Sequence, residues 1–225
     1  MFEPARPEDI RAMIFDFDGT LAFQTLDFAL MRRRALEALS RYAPVSDAAG
    51  EPAMEELDRF CAALEPETAA LARKAALEAI AEVEYEAAGR SYLFPFVRPV
   101  LAALCQRNIA CAVITRNIRP CIEMIFPDVD DHFTCILTRD DVPKVKPHPD
   151  HLLRALDSVA CPPGMALMVG DHPMDIEVGK KAGTLTAGVA SGHTPLDRLA
   201  GENPTWLAND LGQLMDLLGL YPESL

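Results

Sequence analysis

The chain has no Cys-x-x-Cys pair. Its six cysteines, Cys61, Cys105, Cys111, Cys121, Cys135 and Cys161, are scattered, so no two are spaced as metal ligands or a redox dithiol. Cys105, Cys111 and Cys135 lie in apolar surroundings and are expected to be small buried hydrophobes in a reducing compartment. Basic charge is also scarce. Lys and Arg number 21 against 34 Asp and Glu, a net charge of −13. Polyanions repel such a chain, so no general affinity for nucleic acid or an anionic membrane is expected. No apolar run reaches the roughly 20 residues of a membrane span. Met1–Ile10 mixes Pro with charge and lacks the apolar core of a signal peptide, so a cytoplasmic protein is expected. There is no internal repeat and no low-complexity linker.

Half of the 225 residues are hydrophobic and 24% are charged, enough for one large domain or a domain with a smaller companion. Short apolar runs at Ala12–Phe17, Ala110–Thr115, Thr134–Thr138, Ala166–Gly170 and Leu185–Val189 suit strands buried on both faces. Helix-like segments lie between and after them, at Val97–Arg107, Asp150–Val159, Met174–Ala182 and Asp210–Leu220. The third follows Pro173 and stops at Gly183, the usual start and stop signals. This alternation predicts an α/β fold with a mostly parallel sheet covered on both faces. Phe23–Leu93 interrupts it with no convincing strand. There Leu26–Tyr42, Pro52–Leu64 and Pro66–Ala88 read as helices, the last rich in Ala, Leu and Glu. Residues 47–86 carry 11 acidic and 3 basic side chains, a composition shift that marks a helical insertion. The expected division is a discontinuous core, 1–22 with 94–225, and an inserted helical domain, 23–93.

The polar groups fall at the ends of the apolar runs. Asp16 and Asp18 end the first, in Asp16-Phe17-Asp18-Gly19-Thr20, and Thr115 ends the second. Lys146 follows the third; Asp171 and Asp175 follow the fourth. In an open parallel sheet all carboxyl ends of strands share one edge, where ligands bind. Four carboxylates, a hydroxyl and an ammonium would therefore meet. Buried carboxylates placed together need a cation or shared protons. A hard divalent cation such as Mg²⁺, with a phosphoryl group, satisfies this inventory. One carboxylate can then serve as nucleophile and a second as acid and base.

Four motifs in this order resemble the haloacid dehalogenase superfamily, in its phosphatase branch. They are Asp16-Phe17-Asp18-Gly19-Thr20-Leu21, Val113-Ile114-Thr115-Arg116-Asn117, Lys146-Pro147-His148-Pro149 and Gly170-Asp171-His172-Pro173-Met174-Asp175. The resemblance implies a Rossmann-like core with a helical cap at Phe23–Leu93. It implies Asp16 as nucleophile and Asp18 as general acid and base. Thr115 and Lys146 would hold the phosphoryl oxygens. Asp16, the backbone carbonyl of Asp18, and Asp171 would bind Mg²⁺, with Asp175 as a ligand or just behind the ligands. A carboxylate at Asp18 distinguishes phosphatases from dehalogenases and phosphonatases of this type. Phosphonatases also need a Schiff-base lysine from the cap, and the only cap lysine, Lys74, reads as solvated surface.

Within that branch the likeness is to phosphoglycolate phosphatases and small pyrophosphatases, extending to Gly188–His193 and Trp206–Asp210. The chain departs from them at Ala22-Phe23-Gln24, where an acidic-Ser pair is common, and at Arg116, where Asn is usual. The implied activity is Mg²⁺-dependent hydrolysis of a small phosphorylated metabolite by a monomer or homodimer. A phosphosugar mutase of the β-phosphoglucomutase type and a non-catalytic phosphate-binding module are the alternatives. The second carboxylate, Asp18, argues against the module, which has no use for it. Arg116 is the best additional phosphate or substrate contact. Arg32-Arg33-Arg34 fan round a helix and read as a solvated face. His148 and His151, beside Pro149, read as surface or capping residues. His172 is open to a contact with substrate or Asp171, and His193 reads as a loop residue.

Overall fold

The computed structural model describes residues 6–45 and 53–221. Its first half contains β1 (Ala12–Phe15), β2 (Ala22–Phe23), α1 (Phe28–Leu39), α2 (Ala53–Ala62), α3 (Pro66–Ala88), β3 (Tyr92–Leu93) and α4 (Val97–Gln106). There follow β4 (Ala110–Ile114), α5 (Arg119–Ile125), β5 (Cys135–Leu137), α6 (Pro149–Ser158), β6 (Ala166–Gly170) and α7 (Pro173–Ala182). The chain closes with β7 (Leu185–Val189), α8 (Leu196–Gly201), β8 (Trp206–Ala208) and α9 (Leu211–Leu217). It divides into two compact units, Met1–Gln24 with Ser91–Leu225, and Thr25–Arg90.

The first unit is an α/β layer structure around a six-stranded sheet in the order β5-β4-β1-β6-β7-β8. All its pairings are parallel, with β1 between β4 and β6. Side chains alternate across the sheet with period two. Met13 and Phe15 of β1, Cys111 and Val113 of β4, and Leu167 and Val169 of β6 share one core with α4 and α9. Ala12, Ile14, Ala112, Ile114, Ala166 and Met168 share the opposite core with α6 and α7. Both faces are covered, which is why these strands read as continuous apolar runs.

The five expected strands and four expected helices of this unit are present, shortened by one to three residues at some ends. The structure adds β8, α5 and α8. It also corrects the reading of Phe23–Leu93 as free of strand, because Phe23 pairs with Tyr92, and Ala22 with Leu93, in a short antiparallel ribbon. Cys111 is buried as expected, but Cys135 is only half-buried and Cys105 is exposed. The buried stripe of α4 runs through Val97, Val100, Leu101 and Leu104, and Cys105 falls beside it.

In the second unit, α1 and α3 pack with α2 around Met31, Ala35, Leu39, Leu57, Ala72, Ala76 and Ile80. Asp27 caps α1 by accepting from the Leu30 N–H at 2.8 Å. The 23 residues of α3 begin at Pro66, where its missing N–H costs nothing, and end against Gly89. Lys74 is solvated, as expected, with its ammonium 3.9 Å from Glu78. Arg33 and Arg34 are exposed, but Arg32 is partly buried and paired to the buried Glu56 at 2.9 Å. The acidic residues expected at Asp47 and Glu51 lie outside the described residues.

Candidate active site

The parallel sheet brings the polar ends together at one edge. Asp16 directly follows β1, its N–H continuing the ladder to Val169 O at 2.9 Å. Lys146, in the loop after β5, is buried and places Nζ 2.6 Å from Asp16 Oδ1 and 2.8 Å from Asp175 Oδ1. Asp175 Oδ2 accepts from the His172 N–H at 3.0 Å, so this carboxylate holds the lysine and closes the N-terminus of α7 at once. Asp171, at the end of β6, accepts from Thr20 Oγ1 at 3.3 Å. Ligand oxygens of Asp16, Asp171 and Asp175 all lie within 4.8 Å of one another, and all three residues are buried.

Glycines make this density possible. Gly19 adopts φ +84, and a Cβ there would run into the Asp171 carboxylate. A Cβ on Gly192 would overlap Asp171 Oδ2, and one on Gly170 would overlap the Asp175 carboxylate. Ser191 ties the same loop to the first motif, donating from Oγ to Gly19 O at 2.7 Å.

Three carboxylates against one ammonium leave the site electronegative. Burial, opposed by Lys146 and reinforced by Asp175, raises the Asp16 pKa from 3.8 to about 6. Burial and the charges of Asp16 and Asp175 push Asp171 well above the carboxylate range. Burial alone would lower the Lys146 pKa, but the two carboxylates beside it raise it, so it stays charged. This donor set fits a hard divalent cation: it is all oxygen, buried, and short of positive charge.

Asp18 is held from the turn after β4. Asn117 Nδ2 lies 3.1 Å from both of its oxygens, and Thr115 Oγ1 lies 3.4 Å from Oδ2. Thr115 Oγ1 in turn accepts from the Asn117 N–H at 3.0 Å. The turn after β4 therefore orients the second carboxylate of the first motif. Arg116, partly buried, extends its guanidinium to 3.6 Å from Met174 Sδ, beside the start of α7. Lys146 thus joins Asp16 to Asp175, with Asp171 close beside them, and Asp18 bonds to Thr115 and Asn117.

His148 and His193 stand where they were expected, and His151 does not. His148 caps α6, accepting from the Asp150 N–H at 3.3 Å. His172 caps α7, accepting from the Met174 N–H at 3.2 Å. His193 is exposed in the loop after β7. His151, expected at the surface or as a cap, is fully buried behind Lys146. It lies on the α6 face that also buries Leu152, Ala155 and Leu156. Asn117, Thr20, Ser191, Gly192 and His151 were missed as site residues. Of these, Thr20 and Asn117 stand inside the first two motifs and Ser191 and Gly192 inside the stretch Gly188–His193, but their contacts, like those of His151, depend on packing that no local pattern records.

The haloacid dehalogenase-like hydrolase family model matches residues 13–189. Pyrophosphatase PpaX of Anoxybacillus flavithermus is 30% identical over 221 residues, covering 94% of this chain and 98% of that protein. A phosphoglycolate phosphatase of Vibrio vulnificus is 28% identical, covering 94% and 97%. Among solved structures, a haloacid dehalogenase-like hydrolase from Bacteroides fragilis superposes with a TM-score of 0.67 at 25% identity, covering 91% of this chain and 99% of that one. The match runs from β1 to the end of β7 and takes in Asp16, Asp18, Thr115, Lys146, Asp171 and Asp175, and the chain belongs to the haloacid dehalogenase-like hydrolase family, in its phosphatase branch.

Proposed function

We propose that this chain is a Mg²⁺-dependent phosphatase of a small phosphorylated metabolite, working through a phosphoryl group carried on Asp16. The observation that carries the reading is the burial of Lys146 between Asp16 and Asp175, with Asp171 alongside. Asp16, the backbone carbonyl of Asp18, and Asp171 would hold the ion, with Asp175 bracing Lys146. When bound, the ion supplies positive charge to the transferring phosphoryl group.

Asp16 attacks phosphorus through a carboxylate oxygen, forming an O–P bond as the ester P–O bond breaks. Asp18 gives its proton to the departing alkoxide. Thr115 and Lys146 hold the equatorial oxygens, Lys146 as a fixed charge in a buried site. Asp18 then takes a proton from water, whose oxygen attacks phosphorus. The bond to Asp16 breaks, and phosphate leaves. Asn117 serves Asp18 by holding it on the side of the leaving group.

Thr25–Arg90 is assigned as the cap, because the chain leaves the core after β2 and returns at β3. The relatives named for phosphoglycolate and pyrophosphate support a small anionic substrate. Six free thiols support a reducing, cytoplasmic setting.

An aryl phosphate assay tests the reading. EDTA should abolish turnover, Mg²⁺ should restore it, and Ca²⁺ should restore it poorly because its bonds are longer and its coordination looser. Asp16→Asn should retain its circular dichroism spectrum and lose activity by several orders of magnitude. Full turnover by metal-stripped protein, or a tenth of the activity in Asp16→Asn, would overturn it.

A further inference from the structure

His151 is a buried imidazole with both nitrogens engaged. Nδ1 lies 3.2 Å from the Lys146 backbone N, and Nε2 lies 3.1 Å from Leu137 O. An amide can only donate, so Nδ1 accepts; a carbonyl can only accept, so Nε2 carries the proton. The ring is thereby fixed as the neutral Nε2–H tautomer. Its pKa, lowered to about 4 by burial and by the charge of Lys146, agrees with that form. Leu137 O, at the end of β5, also accepts from the Thr115 N–H at 3.0 Å. One carbonyl and one imidazole therefore join Thr115 to Lys146, which arrive on separate loops.

We propose that His151 is a positioning residue for phosphoryl transfer, whose bridge from Leu137 O to the Lys146 N–H sets the spacing between Thr115 and Lys146. This rests on the roles given to those two residues above. Lys146 is 2% exposed, so its ammonium reaches Asp16 only if its backbone is held in place. The loop before it, Asp140–Val145, spans turns and bends with no strand to register it. His151, on the first turn of α6, supplies that register from a rigid element.

Three substitutions separate the arms of the bridge. Asparagine places an oxygen where Nδ1 stands and keeps the arm to Lys146. Glutamine places an amide N–H near Nε2 and keeps the arm to Leu137. Alanine keeps neither and leaves the buried Lys146 N–H unpaired. In the Mg²⁺-loaded enzyme, His151→Ala should lower kcat/KM by about tenfold to a hundredfold, the cost of a small misplacement of a reacting group. Inorganic phosphate should inhibit that variant correspondingly more weakly. His151→Asn should recover most of both losses, and His151→Gln less. A purely structural role would move Tm and the folded fraction while leaving kcat/KM and phosphate inhibition per folded molecule unchanged. That result, or better rescue by glutamine than by asparagine, overturns the proposal. If His151→Ala does not fold, the Asn-to-Gln ranking decides alone. Absence of Mg²⁺-dependent turnover in the unmodified protein would instead defeat the reading of the reaction.

Discussion

Lys146 has two acidic partners and a neighbouring lysine two residues away with none of its features. Lys144 is exposed, its Nζ 3.5 Å from His148 Nε2, whereas Lys146 lies between Asp16 and Asp175. A buried ammonium stabilises a transferring phosphoryl group far more than a solvated one, because the medium screens it less. Lys146→Ala should cut kcat/KM by a factor on the order of a hundred or more. Lys144→Ala should change it by only a few-fold. The reverse ranking in steady-state assays would show that the wrong lysine has been assigned. The choice was legible in sequence, since only Lys146 precedes Pro147, which restricts its backbone. His151 was not legible. The apolar pattern of α6 runs through Leu152, Leu153 and Leu156, yet Leu153 is exposed and His151 buried. Which side of that stripe faces inward is decided by the sheet and α7, against which α6 packs, and no spacing within the helix records it.

At the scale of elements, the site is a set of loops that each strand end throws onto one edge. The strand ends were legible because strands covered on both faces must be apolar throughout. β8 was not, since Trp206–Ala208 is three residues long at the sheet edge and two of them are only half-buried. β2 and β3 are two residues each, too short to show a period. α5, at seven residues with Pro120 in its first turn, lacks the length for a helical stripe. The loop after β7 carries a chemical constraint that its sequence, Ala190-Ser191-Gly192-His193, does not advertise. Only a residue without Cβ fits at Gly192, because the added carbon would occupy the position of Asp171 Oδ2. Gly192→Ala should therefore displace Asp171 or its own loop. Its expected signature is a weaker apparent Mg²⁺ affinity in activity titrations, with near-normal turnover at saturating metal. An unchanged Mg²⁺ midpoint would show that the loop yields without moving the carboxylate.

The whole molecule carries 34 acidic and 21 basic side chains, and it buries three carboxylates beside one ammonium. That concentration opposes folding when no cation is bound. The Asp16 pKa rises from 3.8 to about 6 on folding, so the native state binds the Asp16 proton more tightly than the unfolded chain does. Between roughly pH 4 and 6 the native state then holds more protons, and stability falls as pH rises through that window. The sign is opposite to that of a salt-bridged carboxylate with a lowered pKa. Asp171, shifted in the same direction, adds to the trend. A divalent cation should reverse it, because it binds the ionised carboxylates and stabilises the fold by mass action. In EDTA, Tm should decline from pH 4.5 to 7.5 more steeply for the unmodified protein than for Asp16→Asn, in which the titrating charge is gone and the other acids are common to both. Added Mg²⁺ should raise Tm more at pH 7.5 than at pH 4.5, where protons compete for the same oxygens. Equal Mg²⁺ shifts at the two pH values, or parallel slopes for the two proteins, would remove Asp16 as the group that couples metal, proton and fold.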